Sequence, residues 1–382
     1  RRRYRDGTIL EILILMKHWN RRMKKRINIL FLMVFACLSC GKSALDADVK
    51  QEGVCLNISE SILSVETKGP ILSDGNGGEV QFPKNSTYGL FICDHVAEGP
   101  NPYIEHAPNY NNIRASNSNK DGTWMYKQGD AAEFPIIFLM GKKTEDDKSV
   151  CADIFAYAPY NKKVTTPECI EFEILDQDDI MYAIQNKDAS INKGIDPLAD
   201  ALKVDVPLTF AHALTLLEFN LELKNDKFNH PDAEGYVRDN LVDFITISKT
   251  STADCPLYSG GTLNAVDGVL TPKNDVESLT VKCANTTSRI GDEINLKAYL
   301  LLVPTEPDDD EYIFSIHLNN IVLNSVYHLK KEHLKHGDSN EYGFKAGYKY
   351  TFNFIIDNYI RFTGVEFGKW TTVEEPLYQI VI

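Results

Sequence analysis

Three signatures of catalysis are missing from this chain of 382 residues. It has no Gly-x-Ser-x-Gly nucleophile elbow, no His-Glu-x-x-His zinc motif and no Gly-x-x-x-x-Gly-Lys phosphate loop. Acyl transfer, zinc peptidase chemistry and nucleotide chemistry therefore lose their sequence footing, and no enzyme activity, catalytic residue, cofactor or metal is expected. Acidic residues are plentiful, 54 in all. Sequence alone brings no two of them to the separation that glycoside hydrolysis needs. The one Cys-x-x-Cys, Cys37 to Cys40, lies in a leader-like segment, which argues against a zinc ribbon or a dithiol site. Helical periodicity is sparse, with Asp196–Ala201 as one short candidate. No Arg stands between Cys40 and Arg114.

Positive charge is concentrated at the start. The chain carries −14, yet residues 1–39 hold ten Lys/Arg against two Asp/Glu, leaving the remainder near −22. Phosphate binding rests on Lys and Arg, so no nucleic-acid partner is expected. An acidic balance favours solubility and says little about fold.

What the chain does contain begins at Met23-Lys24-Lys25-Arg26. An apolar run follows from Ile27 to Phe35, then Ala36-Cys37-Leu38-Ser39-Cys40-Gly41. A basic start, a short apolar core and small residues before a cysteine form a secretory leader. A spanning helix needs about 20 apolar residues, so a cleaved leader is favoured over a retained anchor. The segment is similar to a bacterial lipobox, with Cys40 as the expected lipidation site, although Cys37 stands where that motif prefers Leu. Met16 or Met23 is the expected start.

About 343 residues follow the leader. Single cores stop growing below that size, so two domains are expected, 41–205 and 206–382, behind a leader of 1–40. The linker is placed at Asp196–Val206. The fold reads as all-β. Leu90–Cys93, Phe134–Met140 and Ile154–Ala158 are short apolar runs separated by turn-formers at Asp74–Gly78 and Ser116–Gly122. Leu214–Leu223 partly alternates, with Phe219, Leu221 and Leu223 opposite Glu218, Asn220 and Glu222. Leu241–Ile247, Ala298–Pro304, Ile313–Leu318 and Tyr348–Ile356 complete the expected strands. No short repeat points to a solenoid or propeller. Six cysteines lie beyond the leader; in an exported chain, Cys151 with Cys169 and Cys255 with Cys283 are candidate disulfides, and buried free thiols are the alternative.

Several polar residues have a bland reading that outweighs the sharp one. His212 sits in an apolar stretch and reads as a core or domain-interface histidine. His328, His333 and His336 lack the i, i+3 or i, i+4 spacing that would put all three on one helical face. Asp308-Asp309-Asp310-Glu311 reads as a solvated hairpin tip and Asp74–Gly78 as a tight turn, rather than as calcium loops. Trp124 and Tyr126 read as buried sandwich aromatics in preference to a sugar-stacking platform.

The order of several segments resembles the fimbrillin-like lipoproteins of Bacteroidales, subunits of type V pili. These segments are the lipobox-like leader, Thr67-Lys68-Gly69 followed by Tyr88-Gly89-Leu90-Phe91, and Phe155–Tyr160. Asp196-Pro197-Leu198 followed by Val206–Leu214 carries the most specific element, Phe-x-His-Ala. Gly347–Asn353 and Trp370 match the far end. The resemblance implies two transthyretin-like β-sandwiches, export as an outer-membrane lipoprotein held by Cys40, and a place in a cell-surface fimbrium. It also implies that a trypsin-like protease removes a first strand, and that an extended strand from another pilin subunit fills the groove. The physics is β-augmentation, and a head-to-tail contact of this kind grows a filament.

This chain departs from the stalk-pilin pattern. Before its first expected strands the basic residues are Lys42, Lys50 and Lys68, so the candidate cleavage sites are Lys50 and Lys68. That departure leans toward a tip or accessory pilin. The candidate donor strand is Leu377, Tyr378, Ile380, Val381 and Ile382; the alternative is the last strand of its own domain. The competing function is a monomeric surface lipoprotein that binds a glycan or host ligand.

Overall fold

The computed structural model describes residues 53–62, 82–95, 100–103, 110–118, 123–141, 143–144, 146–174, 178–184, 192–198, 203–223, 242–250, 256–282, 288–290, 293–306, 312–318, 325–336, 342–356 and 360–370. They form strands β1 (Gly53–Ile62), β2 (Thr87–Asp94), β3 (Asn101–Pro102), β4 (Ile113–Ser116), β5 (Met125–Lys127), β6 (Ile137–Met140), β7 (Ala152–Ala158), β8 (Ile170–Glu173), β9 (Met181–Ala183) and β10 (Lys203–His212). The second half continues with β11 (Thr215–Leu223), β12 (Val242–Lys249), β13 (Tyr258–Leu263), β14 (Leu270–Asp275), β15 (Ser278–Lys282) and β16 (Ser288–Ile290). It ends with β17 (Glu293–Leu302), β18 (Tyr312–Leu318), β19 (Ser325–Leu329), β20 (Tyr348–Ile356) and β21 (Ile360–Lys369). The only helical element among the described residues is a 3₁₀ turn, Lys331–Leu334. Asp196–Ala201 is not a described helix: Pro197-Leu198 forms a turn, and 199–201 lie outside the described residues.

Strands of the first half form one nine-stranded sheet, ordered β5-β4-β2-β7-β9-β10-β1-β6, with β3 paired to β2. The second half pairs β16-β17-β11-β20-β21 in one sheet and β15-β12-β18-β19 in another. Between the latter two lies a core in which Phe219 meets Phe314 edge-on at 5.3 Å and stacks on Phe352 at 5.6 Å. Such pairs add to area burial.

The central strands of the first sheet explain why their sequences read as continuous apolar runs rather than alternating ones. Leu90, Ile92, Ile154 and Ala156 enter the first core, whereas Phe91, Cys93, Phe155 and Tyr157 join the second. Strands covered on both faces have no polar face to show. Gly89 serves this crossing, because a Cβ there would lie 2.2 Å from the Tyr157 ring.

The two halves are joined at two places. The boundary at 205 falls inside β10: Val206, Leu208 and Phe210 belong to the first core, and the chain crosses to the second at Ala213-Leu214. β10 keeps pairing with β9 through His212, so the sheet does not end where the linker was expected. In addition, β8, from the first half, pairs with β13 of the β13–β14 hairpin in the second. Gly260 makes that approach possible, because a Cβ there would meet the Phe172 carbonyl oxygen at 2.6 Å; a Cβ on Gly261 would meet the Thr271 carbonyl oxygen of β14 at 2.7 Å and the Phe172 ring at 3.0 Å.

Candidate functional site

The site of interest is the seat of β1. Its alternation, Val54, Leu56, Ile58, Glu60, Ile62, points even-numbered side chains inward. The strand runs parallel to β10, with Cys55 opposite Lys203 and Ile62 opposite Phe210. It runs antiparallel to β6 over Gly53–Leu56. Among the described residues β1 is the sole strand partner of β6. A Cβ on Gly53 would stand 2.2 Å from the Leu139 carbonyl oxygen, so glycine permits the tight start of the pairing. The opposite face is polar: Asn57 donates to Asp205 at 2.5 Å, and the hydroxyls of Ser61 and Thr209 lie 3.5 Å apart.

One inward position breaks the apolar series. The carboxylate of Glu60 accepts from the Tyr88 hydroxyl at 2.6 Å and from the Tyr126 hydroxyl at 3.4 Å. Tyr88 is fully buried and Tyr126 nearly so. Aromatic rings close the surroundings: Tyr88 packs against Trp124 at 4.8 Å and Phe210 at 5.5 Å. Burial pushes the Glu60 carboxyl up to about 7, against the opposing pull of the two tyrosine hydrogen bonds. Burial also holds both phenols above their ordinary range, with Glu60 adding to the effect. A buried polar group is costly unless partnered, so this trio is a specific solution in an otherwise apolar seam.

The residues singled out from sequence are distributed as follows. Cys40, Lys50, Lys68, Cys255, Cys283, Asp74–Gly78, Asp308–Glu311 and Leu377, Tyr378, Ile380, Val381 and Ile382 lie outside the described residues. The position of β1 still bears on Lys50 and Lys68. The first strand was expected around Lys68, yet a strand already lies at Gly53–Ile62. A cut after Lys50 would leave β1 on the chain, and a cut after Lys68 would sever it. β1 is absent from the strands expected from sequence because Glu60 interrupts its alternation; the even-numbered Val54, Leu56, Ile58 and Ile62 were the available signal.

Cys151 and Cys169 are free thiols in this structure. Cys151 is held at the start of β7, its carbonyl accepting from the His95 amide at 2.9 Å, while Cys169 leads β8 in a different sheet. Burial, then Asp196 and Asp153, raises the Cys151 thiol; Cys93 is pushed up to about 12 by burial first and Asp153 second.

His212 is buried at the junction of the two halves. Its Nδ1 lies 2.6 Å from Asp179 Oδ2, and its ring stacks on Trp370. His333 and His336 have separate partners, the Tyr327 hydroxyl at 3.1 Å and the Tyr350 hydroxyl at 2.8 Å. Trp124 is half-buried, edge-on to Phe82 at 5.7 Å, and Tyr126 is buried, so both are parts of the sandwich rather than an open platform.

A fimbrillin-like family model matches residues 84–370. No protein of curated function matches the chain. Among solved structures, a candidate cell adhesion protein from Bacteroides ovatus is 12% identical, with a TM-score of 0.50 and coverage of 85% of this chain and 99% of that one. One from Bacteroides uniformis is 14% identical at a TM-score of 0.49, covering 76% and 93%. The fimbrial anchor protein Mfa2 from Porphyromonas gingivalis is 9% identical at 0.33, covering 83% and 98%.

Proposed function

The chain belongs to the fimbrillin-like family, and on that premise we propose that it is a tip or accessory subunit of a surface fimbria, assembled by donor-strand exchange at the β1 seat. Family membership makes it a structural, non-enzymatic, cell-surface protein that assembles with other fimbrial subunits. Lipidation on Cys40 would hold it to the outer membrane before processing.

The observation that carries the reading is the position of β1. It is a ten-residue strand inserted beside β10, with β6 depending on it for pairing. Removing such a strand would leave main-chain donors and acceptors of two strands open along one apolar groove, the condition for β-augmentation. The gap in Arg before Arg114 supports a tip or accessory position over a stalk position. Because β1 ends at Ile62, exchange needs the cut after Lys68.

The test is a pair of substitutions in the full chain, expressed in its own cells. Lys68→Gln abolishes incorporation into filaments and Lys50→Gln leaves it intact. Normal incorporation of the Lys68→Gln chain would overturn the reading. Saturable glycan binding by a protein that never polymerises would favour the monomeric lipoprotein instead.

A further inference from the structure

Taking a strand out from between two others endangers the one left at the edge. Among the described residues β6 has no strand partner but β1, and it is only four residues long. With β1 gone it keeps no ladder bond. Ile137 and Leu139 still sit in the first core, but apolar burial is non-directional and does not fix a backbone in register. A loose β6 would leave the groove with one wall.

The far edge of β6 is held by side chains instead of a strand. Leu139 turns its carbonyl toward β1, since a Cβ on Gly53 would stand 2.2 Å from that oxygen. Main-chain groups alternate in direction along an antiparallel strand, so Phe138 and Met140 turn theirs away from β1. Two buried tyrosines meet them there. The Tyr110 hydroxyl donates to the Phe138 carbonyl at 2.8 Å and accepts from the Met140 amide at 3.2 Å. The Tyr103 hydroxyl donates to the Met140 carbonyl at 3.0 Å and lies 3.4 Å from the Val150 carbonyl. Donating and accepting at once requires a protonated phenol, and burial raises the Tyr110 phenol in that sense.

Both tyrosines are themselves fastened to β2, at a single residue. The Tyr103 amide donates to the Ile92 carbonyl at 2.9 Å, and the Ile92 amide donates to the Tyr110 carbonyl at 3.1 Å. The path from β2 through the two tyrosines to β6 therefore makes no use of β1.

Resting on the strand-exchange reading, we infer that Tyr103 and Tyr110 are positioning residues of the acceptor groove: they fasten β6 to β2, so that β6 keeps its place and register while the seat is empty. An extended strand from another subunit then pairs with a wall that is already ordered, and binding does not have to order it. The same hydroxyls occupy the far edge of β6. Strand addition is thereby blocked on that side and left open on the side of the seat.

The experiment follows amide exchange at Leu139 in the full, unprocessed chain, where β6 has two tethers. Gly53→Ala weakens the tether to β1. Tyr103→Phe/Tyr110→Phe removes the other and keeps both rings. Each change alone is expected to raise exchange at Leu139 by about threefold or less, and the two together by about tenfold beyond their product. Independent structural losses would simply multiply. Exchange at Ala156 in β7 is the control for an intact fold. Tyr110→Phe alone removes two of the three main-chain bonds and gives the same coupling in smaller measure, should the double variant not fold. In its own cells, the Tyr103→Phe/Tyr110→Phe chain is expected to enter filaments about tenfold less than wild type. A combined effect equal to the product would overturn the clamp. Coupling with wild-type incorporation would overturn its role in assembly and leave strand exchange standing. Filament chains that retain β1 would overturn strand exchange, and the positioning role with it, even where the coupling holds.

Discussion

The imidazole of His212 lies flat on the indole of Trp370, with ring centroids 3.8 Å apart and planes inclined by 11°. His212 ends β10 of the first half, and Trp370 follows β21 of the second. The Trp370 amide donates to the Gly347 carbonyl at 2.7 Å, and the Gly347 amide donates to the Leu214 carbonyl at 2.8 Å. One stack therefore ties the crossing point to the last strand. Neither Trp370 Nε1 nor His212 Nε2 has a hydrogen-bond partner among the described residues. Trp370→Ala should cost about 3–5 kcal/mol, as large buried aromatics do. Trp370→Phe should cost about 1 kcal/mol, because it keeps a ring and removes an unpartnered N–H. Urea denaturation of the two variants checks the difference.

Gly260 predicts a local failure. An alanine at Gly260 would press its Cβ to 2.6 Å from the Phe172 carbonyl oxygen, forcing β13 away from β8. The expected loss is about 1–3 kcal/mol for Gly260→Ala and more for Gly260→Val. Hydrogen exchange should accelerate at Ile170–Glu173. The amides of Leu90 and Ile154 in the first core serve as controls and are expected not to respond. Unchanged exchange across β8 would contradict the close approach.

Glu60 sets a pH dependence of the unprocessed chain. Its folded pKa of about 7 lies above the ordinary carboxyl value of 4.5. The folded state thus binds a proton that the unfolded state has released. The stability involved is fully present below the ordinary value and is lost as pH rises through about 7. The change should be on the order of 3 kcal/mol. Glu60→Gln should flatten the curve across that window, as thermal melts at a series of pH values would show.

Glu218 behaves in the opposite sense. Burial alone would raise its carboxyl, but hydrogen bonds from Lys297 at 2.7 Å and Lys349 at 2.8 Å outweigh it and hold the group below its ordinary range. Its contribution is present above the ordinary carboxyl value and is lost as pH falls through the lowered one. Replacing both lysines with Met strands a buried charge and should cost about 2–3 kcal/mol at neutral pH. The loss should fade in acid as Glu218 becomes protonated, which chemical denaturation at two pH values would reveal.

The all-β fold was legible because its strands carry strong apolar signals. Leu90–Cys93 and Ile154–Ala158 fall within β2 and β7, and Ile313–Leu318 within β18. β10 serves the first core up to Phe210, and the chain joins the second core at Ala213-Leu214, a passage that no composition shift marks. The pairing of β8 with β13 was invisible for a different reason: it depends on a glycine making room for a strand 87 positions away, counted from Glu173 to Gly260, and no local pattern encodes such a partner. The site was half legible. The resemblance directed attention to a removable first strand, but the glutamate that makes β1 distinctive also disguised it as a loop.

The amino-terminal sequence of chains recovered from assembled filaments separates exchange at the β1 seat from retention of β1. Assembly by exchange predicts that these chains begin at Gly69, after the cut that severs β1. Filament chains that begin at a lipidated Cys40 or at Gln51 would retain β1, and that result would contradict assembly by exchange at its seat.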